Sequence, residues 1–169
     1  MALFSSESFN SLDDLLLHQI QDLYDAEHRI ADTLPKMVDK ASIPALKQKL
    51  ESHVQSCSEH KARIEQMFKA LGKDAERDTC QATVGLIKET QGTLDATGDP
   101  EVIDAALIAN AQRIEHYEIA GYGTIKALAK QAGHDQIATL ADQCLGEEIE
   151  QDEELTRVAE NTVNPAAAN

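Results

Sequence analysis

LIANAQRIEHYEIAGYGTIKAL, residues 107–128, sets Leu107, Ala111, Ile114, Glu118, Gly121, Ile125 and Leu128 at alternating steps of four and three. Residues so spaced share one face of an α-helix, and a face this apolar is a core face. Glu118 interrupts it, with Glu115 one turn before. A carboxylate withdrawn from water needs a proton, a counter-charge or a metal, because its desolvation is otherwise too costly. The same anomaly recurs on three further segments. Leu16, Ile20, Leu23, Glu27, Ile30, Leu34 and Met37 form one seam; Leu46, Leu50, His53, Cys57, His60, Ile64, Met67 and Leu71 form another; Ile137, Ala141, Cys144, Glu148, Gln151, Leu155 and Val158 form the last. Four helices with ionisable groups on their core faces predict an all-α four-helix bundle around a cation.

Local signals place the helix ends. Ser11 predicts the N-cap of a first helix that runs to Met37 or Lys40, its last turn loosened by Pro35. Ser42 and Pro44 predict the cap and first turn of the second helix, which ends at Leu71-Gly72. Residues 73–98 form a long crossover, in which Val84, Leu86, Ile87 and Leu94 suggest a shorter fifth helix. Asp99-Pro100-Glu101 opens the next long helix, which reaches Ala132 before Gly133. Asp135 is a candidate cap for the last helix, which fades near Glu160, and residues 161–169 should fray. Two hairpins joined by one long crossover is the ferritin-like order. The expected organisation is an N-terminal segment at 1–10, a bundle at 11–163 and a flexible tail at 164–169.

Composition narrows the function classes. With 169 residues, one domain is the default. Fifteen Lys plus Arg against 30 Asp plus Glu give a formal charge of −15, which sets nucleic acid aside as a partner. The opening MALFSSESFN lacks a basic stretch followed by an apolar one, and no apolar run is long enough to span a membrane, so the expectation is a cytoplasmic protein without a membrane partner. Cys57, Cys80 and Cys144 make no CxxC pair and read as reduced core residues. Neither a Ser/His/Asp order nor a glycine-rich phosphate loop stands out.

In an antiparallel hairpin, residues equally far from the turn are level. Glu27 lies ten residues before Met37 and His53 nine after Pro44, so they should meet. His60, seven residues on, is displaced by about 10 Å at about 1.5 Å per residue; it shares the face and stands as a supporting candidate. Glu118 and Glu148 should likewise be level, with Glu115 and Asp152 one turn away. The candidate metal ligands are therefore Glu27, His53, Glu115, Glu118, Glu148 and Asp152, with His60 behind them. Oxygen donors with imidazole suit iron or manganese. The di-iron pattern of one Glu from each of two helices and Glu-x-x-His from the other two is met only in part, since Ser56 stands three residues after His53. Tyr117 and Tyr122 pack beside this face, where a hydroxyl could reach a ligand. His116 and His134 read as solvent-facing or capping groups.

The stretches DLYDAEHRIADTLPKM (22–37), DAALIANAQRIEHYEIAGYGT (104–124) and LGEEIEQDEEL (145–155) resemble the YciE/YciF-type family of bacterial ferritin-like proteins, with the match running roughly from Ser11 to Val163. The resemblance implies a bundle of the rubrerythrin and ferritin superfamily, often a homodimer, with a di-metal site and an association with stress. Relatives read like HLEET where this chain has HVQSC at 53–57, so Gln55 and Ser56 replace two acids. Ser56 therefore marks an expected gap in the ligand set. Two functions remain open at this point. One is oxygen- or peroxide-linked stress protection at an iron or manganese centre, single or dinuclear; the other is a non-enzymatic stress or interaction protein whose site is structural or degenerate. A rubrerythrin-style electron-delivery centre would need CxxC pairs that this chain lacks.

Overall fold

The computed structural model describes residues 8–168. Residues 1–7 of the expected N-terminal segment and Asn169 of the expected tail lie outside it. The helices are α1 (Leu12–Lys40), α2 (Pro44–Ala70), α3 (Gln81–Leu94), α4 (Pro100–Ala132), α5 (Asp135–Val158) and α6 (Asn164–Ala167), and no strand occurs among the described residues. α1 and α2 form one hairpin and α4 and α5 the other; α1 packs on α4, α2 on α5, and the crossover helix α3 lies against α1 and α4. This is a four-helix bundle with one long crossover, the ferritin-like arrangement.

Most of the sequence signals operate as expected. The Ser11 hydroxyl accepts the amide of Asp14, and Asp99 accepts those of Glu101 and Val102. Gly133 closes α4 at φ +84°, a conformation that costs glycine nothing in sterics. Pro35 does not shorten α1, which continues to Lys40. The core is built from the four seams, with Leu16, Ile20, Ile30, Leu46, Ile64, Leu107, Ile125 and Ile137 all fully enclosed.

Three local expectations are corrected. Ser42 is not the cap of α2; that position is Ile43, and Ser42 instead donates its amide and hydroxyl to the Asp104 carboxylate, which also accepts the Ile43 amide. Asp104, fully buried on α4, thus caps α2 from across the bundle. Asp135 does not cap α5, whose N-cap is His134 without a side-chain hydrogen bond; the His134 ring reaches Asp13 at 2.8 Å. Beyond α5 the chain does not lose its helical path at Asn161: a π-helical turn, Ala159–Val163, carries Val163 into the core and leads into α6.

α3 is held by a different device. Asp25, buried on α1, accepts the Cys80 amide at 2.9 Å and pairs with Arg29 and Arg77. The Cys80 thiol then accepts the Thr83 amide at the helix start and lies 2.9 Å from the Tyr117 hydroxyl. All three cysteines are buried and free, as expected of reduced core residues, Cys57 and Cys144 in the seams and Cys80 at the start of α3.

Candidate metal centre

α1 delivers Glu27, α2 His53 and His60, α4 Glu115 and Glu118, and α5 Glu148 to one level of the bundle, where none exceeds 2% exposure. Two groups of donors form there. Potential ligand atoms of His53, Glu115, Glu118 and Glu148 lie within 4.8 Å of one another, as do those of Glu27, His60 and Glu148. Glu148 belongs to both. These clusters could hold metal ions, and a shared carboxylate is the arrangement of a dinuclear site.

Individual distances define the two halves. His53 Nδ1 stands 2.9 Å from Glu115 Oε1, and its Nε2 is 3.6 Å from Glu118 and 4.0 Å from Glu148. His60 Nδ1 lies 3.1 Å from Glu27 Oε1 and 2.8 Å from Glu148 Oε1, with the hydrogen bond aligned on Glu27. The Tyr122 hydroxyl donates to the same Glu27 oxygen, and the Gln151 amide donates to Glu148 at 3.2 Å. Even so, seven buried donor or acceptor atoms have no hydrogen-bond partner: His53 Nε2, Glu27 Oε2, both oxygens of Glu115, both of Glu118, and Glu148 Oε1. The His53–Glu115 approach is close in distance but misdirected for a hydrogen bond. Orphaned polar atoms are rare in protein interiors, and seven converging on one place fit a cation.

Protons reorganise to meet this crowding. Burial pushes the Glu115 carboxyl up to about 8, against the charge of His53. Burial, with the charges of Glu148 and Glu27 added, holds Glu118 well above the carboxylate range. Burial also raises Glu148, but the close approach of Glu115 and of the His60 ring outweighs it and brings the group down to about 2. For His53 burial opposes the charged ring, yet the charge of Glu115 holds it well above its ordinary value. Burial likewise opposes the His60 cation, and the Glu148 and Glu27 carboxylates against its Nδ1 carry it up to about 12. The pattern is protons shared among the imidazoles and acids around an ionised Glu148, standing where a metal charge would serve.

The ligand set differs from the sequence expectation in register. Glu27 meets His60 and not His53. With α1 running to Lys40, Glu27 lies thirteen residues before its end, and thirteen residues after Pro44 is Cys57. Cys57 is the level residue, and the histidines stand one turn to either side, His60 toward Glu27 and His53 toward α4. Glu118 and Glu148 are level as expected. Asp152 belongs to neither group: one turn beyond Glu148 it has moved outward, where it accepts from Gln112 at 3.0 Å and faces His116. Ser56, where the family resemblance implies an acid, is half-buried and belongs to neither donor group. Its hydroxyl turns back to the Ser52 carbonyl on the outer side of α2, away from the core face that carries His53, Cys57 and His60.

One residue escaped the sequence reading. Glu147 accepts from His60 Nε2 at 2.8 Å and from Arg63 at 2.6 Å, fixing the ring so that Nδ1 faces Glu27 and Glu148. A carboxylate behind a ligating imidazole sets its tautomer and orientation. The only available signal was the Glu147-Glu148 doublet, in which the first acid falls off the core seam.

The donor inventory is four carboxylates and two imidazoles, the number in the di-iron bundle pattern. Their distribution is different. Both imidazoles sit on α2, two turns apart, and α4 supplies two acids three residues apart. Fold and buried centre together define a ferritin-like protein. The chain belongs to the family described as a domain of unknown function, DUF892, which it matches over residues 11–168. It is 37% identical to protein YciF of Escherichia coli strain K12 over 163 residues, which cover 96% of this chain and 98% of that one. The crystal structure of the E. coli stress protein YciF matches at a TM-score of 0.88 and 37% identity, over 92% of this chain and 99% of the other. YcfI from Rhodopseudomonas palustris, provisionally described as a structural protein, matches at 0.87 and 42% identity, over 90% and 98% of the two chains. A protein from Xanthomonas campestris pv. campestris shares the fold at 0.74 and 22% identity, over 92% and 95%.

Proposed function

We propose that this protein holds a pair of iron or manganese ions between its two helical hairpins and serves oxygen- or peroxide-linked stress protection in the cytoplasm. The observation that carries the reading is the set of seven unpartnered donor atoms converging from four helices. Charge supports a pair: two divalent ions are neutralised by Glu27, Glu115, Glu118 and Glu148 when all are ionised. The donor chemistry, oxygen with imidazole and no thiolate in either group, suits iron and manganese. A stress setting is supported by the E. coli relative, which is named a stress protein.

Iron or manganese, when bound, supplies one-electron chemistry toward oxygen or peroxide. The chain's own residues do the positioning. Glu147 and Arg63 orient His60, Tyr122 steers Glu27, Gln151 holds Glu148, and the surrounding apolar side chains keep bulk water from the donors. Metal analysis of protein purified without chelator from iron- or manganese-supplemented cells tests the reading. About two ions per chain, with peroxide consumed, are expected; fewer than about 0.2 per chain, an order of magnitude below a filled pair, would overturn it.

A second reading rests on enclosure. Every donor is at most 2% exposed, so the same ions could serve as a permanent internal brace in a non-enzymatic stress or interaction protein. Stoichiometric metal with no loss of peroxide would select it. The homodimer implied by the family is a further proposal, and light scattering at twice the 18.5 kDa chain mass is the expected result.

A further inference from the structure

A centre this enclosed needs a way in. Between α2, α4 and α5 lies a small cavity of about 10 Å³, roughly the space one water needs, lined among others by Lys49, Ser52, His53, Glu115, Gln151 and Glu154. It is the described cavity that touches the donor cluster: two of its walls are His53 and Glu115, at 2% and 1% exposure, and both Glu115 oxygens are unpartnered. Gln151 adds an unpartnered carbonyl oxygen partway along. At the mouth the Lys49 ammonium and the Glu154 carboxylate form an ion pair, each side chain about one-third exposed. The other flank of the cluster is closed differently. There His60, Glu147 and Arg63 fill the space with mutual hydrogen bonds, and a guanidinium faces outward.

We infer that this cavity is the transit site for divalent cations, with Glu154 as the first acceptor, the Gln151 carbonyl and Glu115 as the next, and Lys49 as the plug that the ion displaces. The inference rests on the metal-binding reading of the buried donors. Its logic is electrostatic: a divalent ion approaching the mouth is attracted by Glu154 and repelled by Lys49, while the ion pair holds the two together until a cation competes for the carboxylate. Breaking this partly exposed pair costs little, so it can open without unfolding a helix. No covalent or redox step is involved.

Cobalt uptake by metal-free protein, followed by stopped-flow visible absorption, tests this without any assay of activity. A unit charge about 9 Å from a divalent ion in water is worth about five-fold in rate, so Lys49→Met should load about five-fold faster and Glu154→Gln about five-fold slower, both reaching the wild-type stoichiometry. Lys126→Met, which breaks the Lys126–Asp142 pair elsewhere on α4 and α5, controls for net charge and should load like wild type. Circular dichroism confirms that each variant is folded. Equal rates in wild type, Lys49→Met and Glu154→Gln would overturn the transit site while leaving the metal centre standing, as would equal acceleration by Lys126→Met. Failure of wild-type protein to take up cobalt at equilibrium would overturn the metal centre, and the transit site with it.

Discussion

Loading the centre should expel protons, and the number can be worked out from the site. At pH 7 His60 carries the extra proton and Glu118 is a neutral acid, while His53 and Glu115, at about 8, form a coupled pair that holds at least one proton between them. Glu148, at about 2, has none to give. An imidazolium or a neutral acid cannot ligate through its protonated atom, so filling both donor groups at pH 7 should release about three to four protons per chain, one or two of them from the His53–Glu115 pair. Manganese titration by calorimetry in buffers of different ionisation enthalpy reads that number directly as the slope of observed heat against buffer enthalpy. At pH 9 Glu115 has already lost its proton, and the slope should be no more than about three. Metal affinity accordingly rises with pH. Metal-free stability moves the other way: the folded state keeps the Glu115 proton between 4.5 and about 8, where the unfolded chain loses it, so stability drains as pH climbs through that window. The raised histidines act in the same sense, their contribution being full below 6.5 and lost as pH passes the folded values. Below about 4.5 the trend reverses, since Glu148 is held near 2 and its contribution goes as it protonates. A slope below about two at pH 7 would show that these residues are not the ligands.

Other substitutions separate binding from folding. Glu118→Gln should weaken manganese binding by about 100-fold in chelator competition while leaving the melting temperature of metal-free protein unchanged or higher, because a buried acid with two unpartnered oxygens contributes no favourable contact. Glu147→Ala should cost about 10- to 100-fold in affinity, with Glu147→Gln restoring most of it through an acceptor for His60; nitrogen-15 shifts of the His60 ring would report the change of tautomer. Asp104→Ala should leave metal affinity unchanged but destabilise the fold by about 3 kcal/mol in urea melts, since Ser42 and Ile43 lose a buried charged acceptor.

The fold was legible because every seam carries its period in the chain. Four-and-three spacing does not depend on what a helix packs against, and Ser11, Asp99 and Gly133 mark ends through local backbone chemistry alone. The candidate site was legible as a set of residue types and less so as a set of partners. Counting from Met37 rather than from Lys40, the other end that the sequence offered for α1, displaced the hairpin count by three residues, nearly one turn, and paired Glu27 with His53. Pro35 lost one amide hydrogen bond, but packing of Met37 and Leu34 kept the helix running. Asp152 was misplaced for a related reason: small steps along a helix turn a side chain out of the core, and only the packed bundle shows where that boundary falls. Asp104 had no one-dimensional signature and Glu147 only its place in the Glu147-Glu148 doublet, since their partners, Ser42 and His60, lie 62 and 87 residues away.

The donors divide between the hairpins, Glu27, His53 and His60 on one and Glu115, Glu118 and Glu148 on the other. An ion bridging them would act as a clasp across a seam that the chain itself crosses only once, through α3. Opening the bundle would then require giving up the ion, and at a free concentration 100 times its dissociation constant the clasp would add about 2.7 kcal/mol against opening. Proteases that cleave through such openings would spare the loaded form, so the lifetime of this protein in a cell would track the supply of its metal.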